Sequence, residues 1–237
     1  MNKTYPFIAT LFVLVACDRQ GPSDTTQKEN EGTTTEATTA NVGSDGTTSG
    51  FNSPEDEWRR PDDLLTTIGP VAGRTVGNVF AGDGYYAFQL VKAGARVIAT
   101  DPDPTHIAAI EERKKALGVG DDRLEVRRTE GTGTGLRFGE VDMMFTSHPY
   151  LQLGTDKAAR VAWVRSAREC IKSPRMLVMV DFLPAPTPEG IGTPMDQRIV
   201  DTAVMDELGD ADCSDVGSYS KKLPYQYILL ALDYQGD

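Results

Sequence analysis

The chain has 237 residues, 39% of them hydrophobic and 8% aromatic, with a formal net charge of −11 and a pI near 4.7. That is enough for one domain of ordinary size with appendages. The acidic balance argues against a general nucleic-acid binder, which needs a basic face to neutralise phosphates. Three cysteines (Cys17, Cys170, Cys213), two histidines and no Cys-x-x-Cys pair give no ground for a zinc site.

At the N-terminus, Lys3 precedes the apolar run "YPFIATLFVLVA", too short to span a bilayer but of the length of a signal-peptide core. It ends in Leu14-Val15-Ala16-Cys17, which resembles the lipobox of bacterial lipoproteins, where a cysteine is acylated and becomes the mature N-terminus. The resemblance implies a signal peptide over residues 1–17 and lipidation of Cys17. It also implies anchorage in a bacterial cell envelope, facing the periplasm or exterior; an ordinary signal peptide is the alternative. Residues 18–53 are Thr, Ser, Gly, Glu, Asp and Asn with almost nothing apolar, as in "EGTTTEATTANVGSDGTTSG". Such a segment cannot bury a core and predicts a disordered tether with an r.m.s. reach of roughly 30 Å.

A folded domain is expected over residues 54–237. "PDDLLTTIG" (Pro61 to Gly69) reads as a helix, with proline and acidic residues in its first turn and glycine as its stop. "RTVGNVF" (Arg74 to Phe80) reads as a strand, "YYAFQLVKAG" (Tyr85 to Gly94) as a helix, and "RVIAT" (Arg96 to Thr100) as a buried strand. Pro104 to Gly118 is a helix with Ile107, Ile110 and Leu117 toward one face, and "RLEVRR" and "VDMMFTS" are strands. Asp156 to Lys172 is a helix striped by Val161, Val164 and Ala167 or Arg168, followed by the buried strand "RMLVMVDF". Met195 to Gly209 is a helix with Ile199, Ala203 and Leu208 apolar, and "YQYILLALD" is a last strand. Cys170 then falls on a helix and Cys213 near a strand; they are read as buried free thiols, with a disulfide as the alternative.

Alternating strands and helices predict βαβ crossovers and a mostly parallel sheet covered on both faces. Ligands bind such sheets beyond the carboxyl ends of the strands, at the point where strand order reverses. After the first strand come Gly82-Asp83-Gly84, which let a backbone approach a ligand and lead into a helix N-terminus. After the second comes Asp101, about 20 residues past the glycines, where a carboxylate can accept the hydroxyls of a ribose. It can equally be a turn-former in "DPDP". After the third comes Glu130, placed to hold an adenine amino group, in a segment ("EGTGTG") that reads equally well as a plain loop. After the fourth come Ser147 and His148, the histidine being a general-base candidate or simply a polar loop residue. Tyr85 and Tyr86 either line the pocket or pack in the core.

This arrangement resembles the class I S-adenosylmethionine-dependent methyltransferases. The family's first motif reads roughly V-x-D-x-G-A-G-x-G-Y-F; "VGNVFAGDGYY" keeps Ala81, Gly82, Gly84 and the aromatic pair. "GARVIATDPDP" supplies the second-strand acid, Asp101, while "VDMMFTSHPYLQL", "IKSPRMLVMVDFLP" and "KKLPYQYILLALD" resemble the fourth motif, the fifth strand and the terminal strand. The resemblance implies an α/β, Rossmann-like three-layer sandwich with a seven-stranded, mostly parallel sheet whose last strand is antiparallel. It implies S-adenosylmethionine as cofactor, held by Asn78, Ala81, Gly82, Gly84, Asp101, Glu130 and Ser147, with His148 as the one base candidate. The acceptor would be an unknown small molecule or protein, not nucleic acid.

Two positions depart from the family. Asn78 replaces the carboxylate that helps hold the methionine part of the cofactor; an amide cannot pair with an ammonium. Phe80 replaces the first glycine, putting a bulky side chain where the backbone approaches the ligand. These departures, with the export signal, keep open an exported binding module or pseudoenzyme on the same fold. G-x-G-x-x-A with Asp101 keeps open an NAD-dependent oxidoreductase, although no separate catalytic domain follows.

Overall fold

The computed structural model describes residues 49–233; Cys17 and most of the tether lie outside them. Seven strands form one sheet in the order β3-β2-β1-β4-β5-β7-β6. They are β1 (Thr75–Val79), β2 (Arg96–Asp101), β3 (Leu124–Arg128), β4 (Met143–Ser147), β5 (Arg175–Phe182), β6 (Asp215–Tyr219) and β7 (Gln226–Asp233). β1 to β5 pair in parallel, while β7 runs antiparallel to both β5 and β6, so the last strand is the reversed one, as expected. Strand order reverses between β1 and β4, which sit side by side with Asn78 opposite Phe145.

The inner strands are apolar on both faces, and their successive residues feed two separate cores. Val76, Val97, Ala99, Met143, Phe145, Val178 and Ile228 pack beneath α2 (Pro61–Ile68), α3 (Tyr85–Lys92) and α4 (Pro104–Ala116). Val79, Ile98, Met144, Leu177, Met179 and Tyr227 pack beneath α6 (Lys157–Glu169) and α7 (Asp201–Asp210). α6 buries Val161, Val164 and Ala167 as its spacing predicts. Two short helices complete the set: α1 (Asp56–Arg59) ahead of α2, and α5 (Pro149–Leu153) directly after β4.

Three local expectations change. The helix predicted from Met195 is a single 3₁₀ turn, Met195–Gln197, followed by extended backbone at Arg198 and Val200; the α-helix begins at Asp201 and buries Val204, Glu207 and Leu208. The Arg198 guanidinium ties this stretch to the preceding loop through the carbonyls of Thr193 (2.9 Å) and Ala185 (2.6 Å) and the Thr187 hydroxyl (3.0 Å). β6 is invisible to pattern reading because Gly217 interrupts a half-exposed edge strand that exists through its pairing with β7. Ordered contacts also start upstream of Pro54: the Phe51 ring meets Phe88 edge-on at 6.3 Å, and the Phe51 carbonyl accepts from Gln89 Nε2 at 3.0 Å. Cys170 and Cys213 are free buried thiols.

Candidate functional site

A narrow cleft of about 140 Å³ opens at the carboxyl ends of β1, β2 and β4, where strand order reverses. Ala81, Gly82, Asp101 and Ser147 line it, together with Arg59 and His148. The turn that builds it is made by the sequence itself: Gly84 N–H bonds to the Ala81 carbonyl at 3.0 Å, and Gly82 and Gly84 hold φ of 58° and 86°. The two glycines differ in purpose. A Cβ at Gly84 would meet Ile110 Cγ1 at 2.8 Å and Phe88 at 3.2 Å, so this glycine, which does not line the cleft, lets α3 pack closely. A Cβ at Gly82 meets nothing within 4 Å, because the residue faces the open cleft. Gly84→Ala should therefore cost about 2–3 kcal/mol of stability through left-handed strain and overpacking. Gly82→Ala should cost only about 1–2 kcal/mol yet weaken ligand binding more, which urea unfolding and calorimetric titration of the two variants will separate.

Asp101, only 2% exposed, is the polar floor of the cleft. Its Oδ2 accepts from Gly82 N–H (2.9 Å), and its Oδ1 from Asp103 N–H (2.9 Å) with His106 Nδ1 at 3.0 Å. An ionised carboxylate offers about four acceptor sites, so roughly one remains for an incoming hydroxyl. A second is released when the His106 ring, 39% exposed, turns aside. His106 went unnoticed in the sequence; its only signal is its place five residues after Asp101, in the first turn of α4.

Phe80 keeps the left-handed backbone of the glycine it replaces, with φ of 55°. Its ring lies buried against Trp163 (centroids 5.6 Å apart, planes 23° apart), within the core under α6. The ring is thus spent largely on packing, although Phe80 still borders the cleft, and the strained turn survives. His148, which also lines the cleft, holds positive φ as well, 52°. Such strain persists only where the surroundings enforce it, and it concentrates at functional sites.

Asn78 lies wholly buried beneath the turn, and among the described residues neither its Oδ1 nor its Nδ2 has a partner. Glu130 is exposed on the turn after β3 and is not among the cleft residues. The loop around it is anchored, with Trp163 Nε1 donating to the Thr132 carbonyl at 2.7 Å and Thr100 to the Thr134 carbonyl at 2.8 Å. Tyr85 and Tyr86 do both things expected of them: each is buried and each borders the cleft. Tyr85 donates to Asp56 Oδ1 at 2.7 Å.

His148 stacks on Phe182 (4.5 Å) and its Nε2 lies 2.8 Å from Gln226 Nε2. The amide donates, so Nε2 accepts and the ring proton sits on Nδ1. Burial, then the charges of Arg59 and Arg198, depress its pKa to about 3. Nearby, at the end of β5, Asp181 was not singled out in the sequence, although a carboxyl inside the apolar run "VMVDF" is a signal. Burial raises its pKa to about 7, against the opposing pull of the Phe182 and Tyr150 amides.

These two shifts act on stability with opposite signs. The unfolded state takes up a proton at His148 between pH ~6.5 and ~3 that the folded state refuses, so stability drops as pH falls through that window. The folded state keeps a proton on Asp181 between pH ~3.8 and ~7 that the unfolded state releases, so stability drops as pH rises through that window. Asp181→Asn should expose the histidine slope, with stability rising from pH 4 to 6.5. His148→Gln should expose the reverse slope, falling from pH 4 to 7. Urea midpoints measured across that range decide both.

Beside the cleft, and sharing Leu151 with it, lies a cavity of about 490 Å³ lined by Tyr150, Arg160, Ile199, Ala203 and Glu207. Among the described residues no group of His, Cys, Asp and Glu side chains is placed to hold a metal.

No family model matches the chain. A tRNA U34 carboxymethyltransferase from Cronobacter sakazakii is 39% identical over 74 residues, which are 30% of this chain and 23% of that protein. An uncharacterized methyltransferase from Mycobacteroides abscessus is 31% identical over 93 residues, 39% of this chain and 33% of that one. The matched segments thus span 23% to 33% of these curated relatives. Among solved structures, a SAM-dependent methyltransferase from Aquifex aeolicus superposes with a TM-score of 0.67 at 21% identity, over 78% of this chain and 96% of that one. A possible exported protein from Bordetella parapertussis gives 0.58 at 14%, over 77% and 70%. Magnesium protoporphyrin IX methyltransferase from Synechocystis, solved with bound SAM, gives 0.54 at 16%, over 74% and 78%. The fold is the Rossmann-like methyltransferase fold, with its seven strands in the order described above.

Proposed function

We propose that the chain is an S-adenosylmethionine-dependent methyltransferase. The observation that carries this reading is the pairing of the Gly82 turn with the buried Asp101 carboxylate at the switch point of the sheet. The two sequence relatives named as methyltransferases support it. The residues fit the group: Gly82 leaves its face open, Asp101 keeps an acceptor site, and a helix N-terminus follows the turn. When bound, S-adenosylmethionine supplies a methyl group on a sulfonium, open to in-line attack.

The work left to the protein is positioning. Asp101 holds ribose hydroxyls, the Gly82–Gly84 turn accepts the close approach of the ligand, and Ser147 and His148 face the acceptor side. His148 is a weak base where it lies, being held neutral with its Nε2 taken by Gln226. Its part is to donate from Nδ1 and to hold α5. The 490 Å³ cavity behind α5 is of the size that small-molecule sites have, roughly 300–1,000 Å³, and we assign it to the acceptor. A small molecule or protein, rather than nucleic acid, suits a chain with net charge −11. The cofactor cleft, at about 140 Å³, must widen on binding. Export and lipidation at Cys17 form part of the proposal; they rest on the lipobox-like segment. The NAD reading of the same glycines has no support among the relatives cited.

Calorimetric titration of the full chain with S-adenosylmethionine and its demethylated product tests the proposal. Micromolar binding is expected. No heat at millimolar ligand would leave the binding-module reading standing, and tight NAD binding would replace the activity. Incorporation of a fatty-acid analogue should vanish in Cys17→Ser; persistent labelling would refute the anchor.

A further inference from the structure

Resting on the methyltransferase reading, we infer that Arg59 is the cofactor-specificity residue of this cleft: it grips the carboxylate of the donor's amino-acid end, and the ammonium is left without the buried carboxylate at the end of β1.

In the family the chain resembles, a carboxylate at the position of Asn78 meets the ammonium. Here the side chain is a neutral amide, fully buried, with both polar atoms free among the described residues. The carboxylates that do line the cleft are Asp101, taken up by the turn, and the exposed Asp83, which accepts from Tyr85 N–H at 3.2 Å; neither takes over the buried place of the lost acid, and the cleft gains a cation in Arg59. Arg59 comes from α1, outside the sheet, and its guanidinium lies 4.6 Å from the centroids of both Trp58 and Tyr85 and 5.2 Å from that of Tyr86. Tyr86 in turn packs on Phe145 of β4, and Arg59 and Asp101 line the same cleft.

The side chain is only 14% exposed; among the described residues its one ion pair is a single contact from Nη2 to Glu55 Oε1 at 3.2 Å, and Nε has no partner. A guanidinium has five donors in a planar fork suited to a carboxylate. The aromatic rings already hold that plane, so little rotamer entropy remains to be lost on binding. The donor carries two cationic groups, the sulfonium and the ammonium, and one anionic group. A cleft that buries an arginine admits such a ligand only if the arginine faces the anion.

The test uses the full chain with S-adenosylhomocysteine, its decarboxylated analogue and its deaminated analogue. Loss of the carboxylate should weaken binding by about 10- to 100-fold, as for loss of a hydrogen bond to a charged group. Loss of the ammonium should change affinity by less than about 3-fold, on the same scale. In Arg59→Gln the intact and decarboxylated ligands should bind equally, and Arg59→Lys should restore part of the difference. Circular dichroism confirms that the variants fold. If the decarboxylated analogue binds the unaltered chain as well as the intact ligand does, or the ammonium proves the more costly loss, the inference is overturned. If none of the three ligands nor S-adenosylmethionine binds, the methyltransferase reading itself falls, and the inference with it.

Discussion

Asp101→Ala should lower affinity for S-adenosylmethionine by about two to three orders of magnitude while costing only about 2–3 kcal/mol of folding stability. Two charge-assisted hydrogen bonds to ribose hydroxyls are each worth about 1.5–3 kcal/mol, which compounds to at least a hundredfold. The stability cost has a separate origin: the Gly82 and Asp103 amides, both 2.9 Å from the carboxylate, lose their acceptor. Each such orphaned donor costs about 1–3 kcal/mol where water cannot replace the carboxylate, and the cleft mouth lets water in. Calorimetry and urea unfolding on the same preparations separate the effects. A variant that loses stability but keeps its affinity would reduce Asp101 to the turn-forming residue that "DPDP" also allows. His106→Ala gives the complementary check: it frees an acceptor site on Oδ1, and affinity should hold or rise slightly.

The largest stability effect is expected at Glu207. Its carboxylate takes Arg160 through Nε at 3.0 Å and Nη2 at 2.5 Å, and the Tyr150 hydroxyl at 3.3 Å, with the two charged side chains 8% and 4% exposed. Glu207→Ala would leave a buried guanidinium whose remaining partner is the Gly154 carbonyl at 3.0 Å. Breaking a buried pair in this way costs about 3–5 kcal/mol, a large share of the ~5–15 kcal/mol that holds a typical domain. Replacing both partners, Arg160→Met with Glu207→Leu, should recover most of that loss, because no stranded charge remains. The pair also lines the proposed acceptor cavity. The double variant should therefore fold well and bind S-adenosylhomocysteine normally, yet turn over poorly once an acceptor is in hand. A double variant as unstable as Glu207→Ala would show that the cost lies in lost packing rather than in the orphaned charge.

The layout of the site was legible because each of its main-chain parts is local. A glycine turn between a strand and a helix, and an acid at the end of the next strand, are adjacent in sequence and are brought together by a single βαβ crossover. Gly82 and Asp101 therefore meet as soon as those three elements form. Asn78 and Phe80 stood out as departures for the same reason. What their side chains do was not legible, since it depends on the rest of the fold: Trp163 packs on Phe80, and Asn78 has no partner among the described residues. Glu130 shows the converse. Its position after β3 matched a strand-end pattern, but the turn carries it out into solvent.

By itself the sequence determined the fold class: alternating apolar strands and helices have few stable arrangements other than a covered, mostly parallel sheet. It also pointed to the carboxyl ends of the strands, where the cleft lies. Only the tertiary structure decided the electrostatics of the site. Arg59 enters the cleft from a helix outside the sheet, and His106 folds back onto Asp101. His148 is held neutral by burial, and Arg160 and Glu207 find each other across 47 positions. Such contacts join residues distant in the chain, and burial sets the energy of a charge only once neighbours have displaced its water.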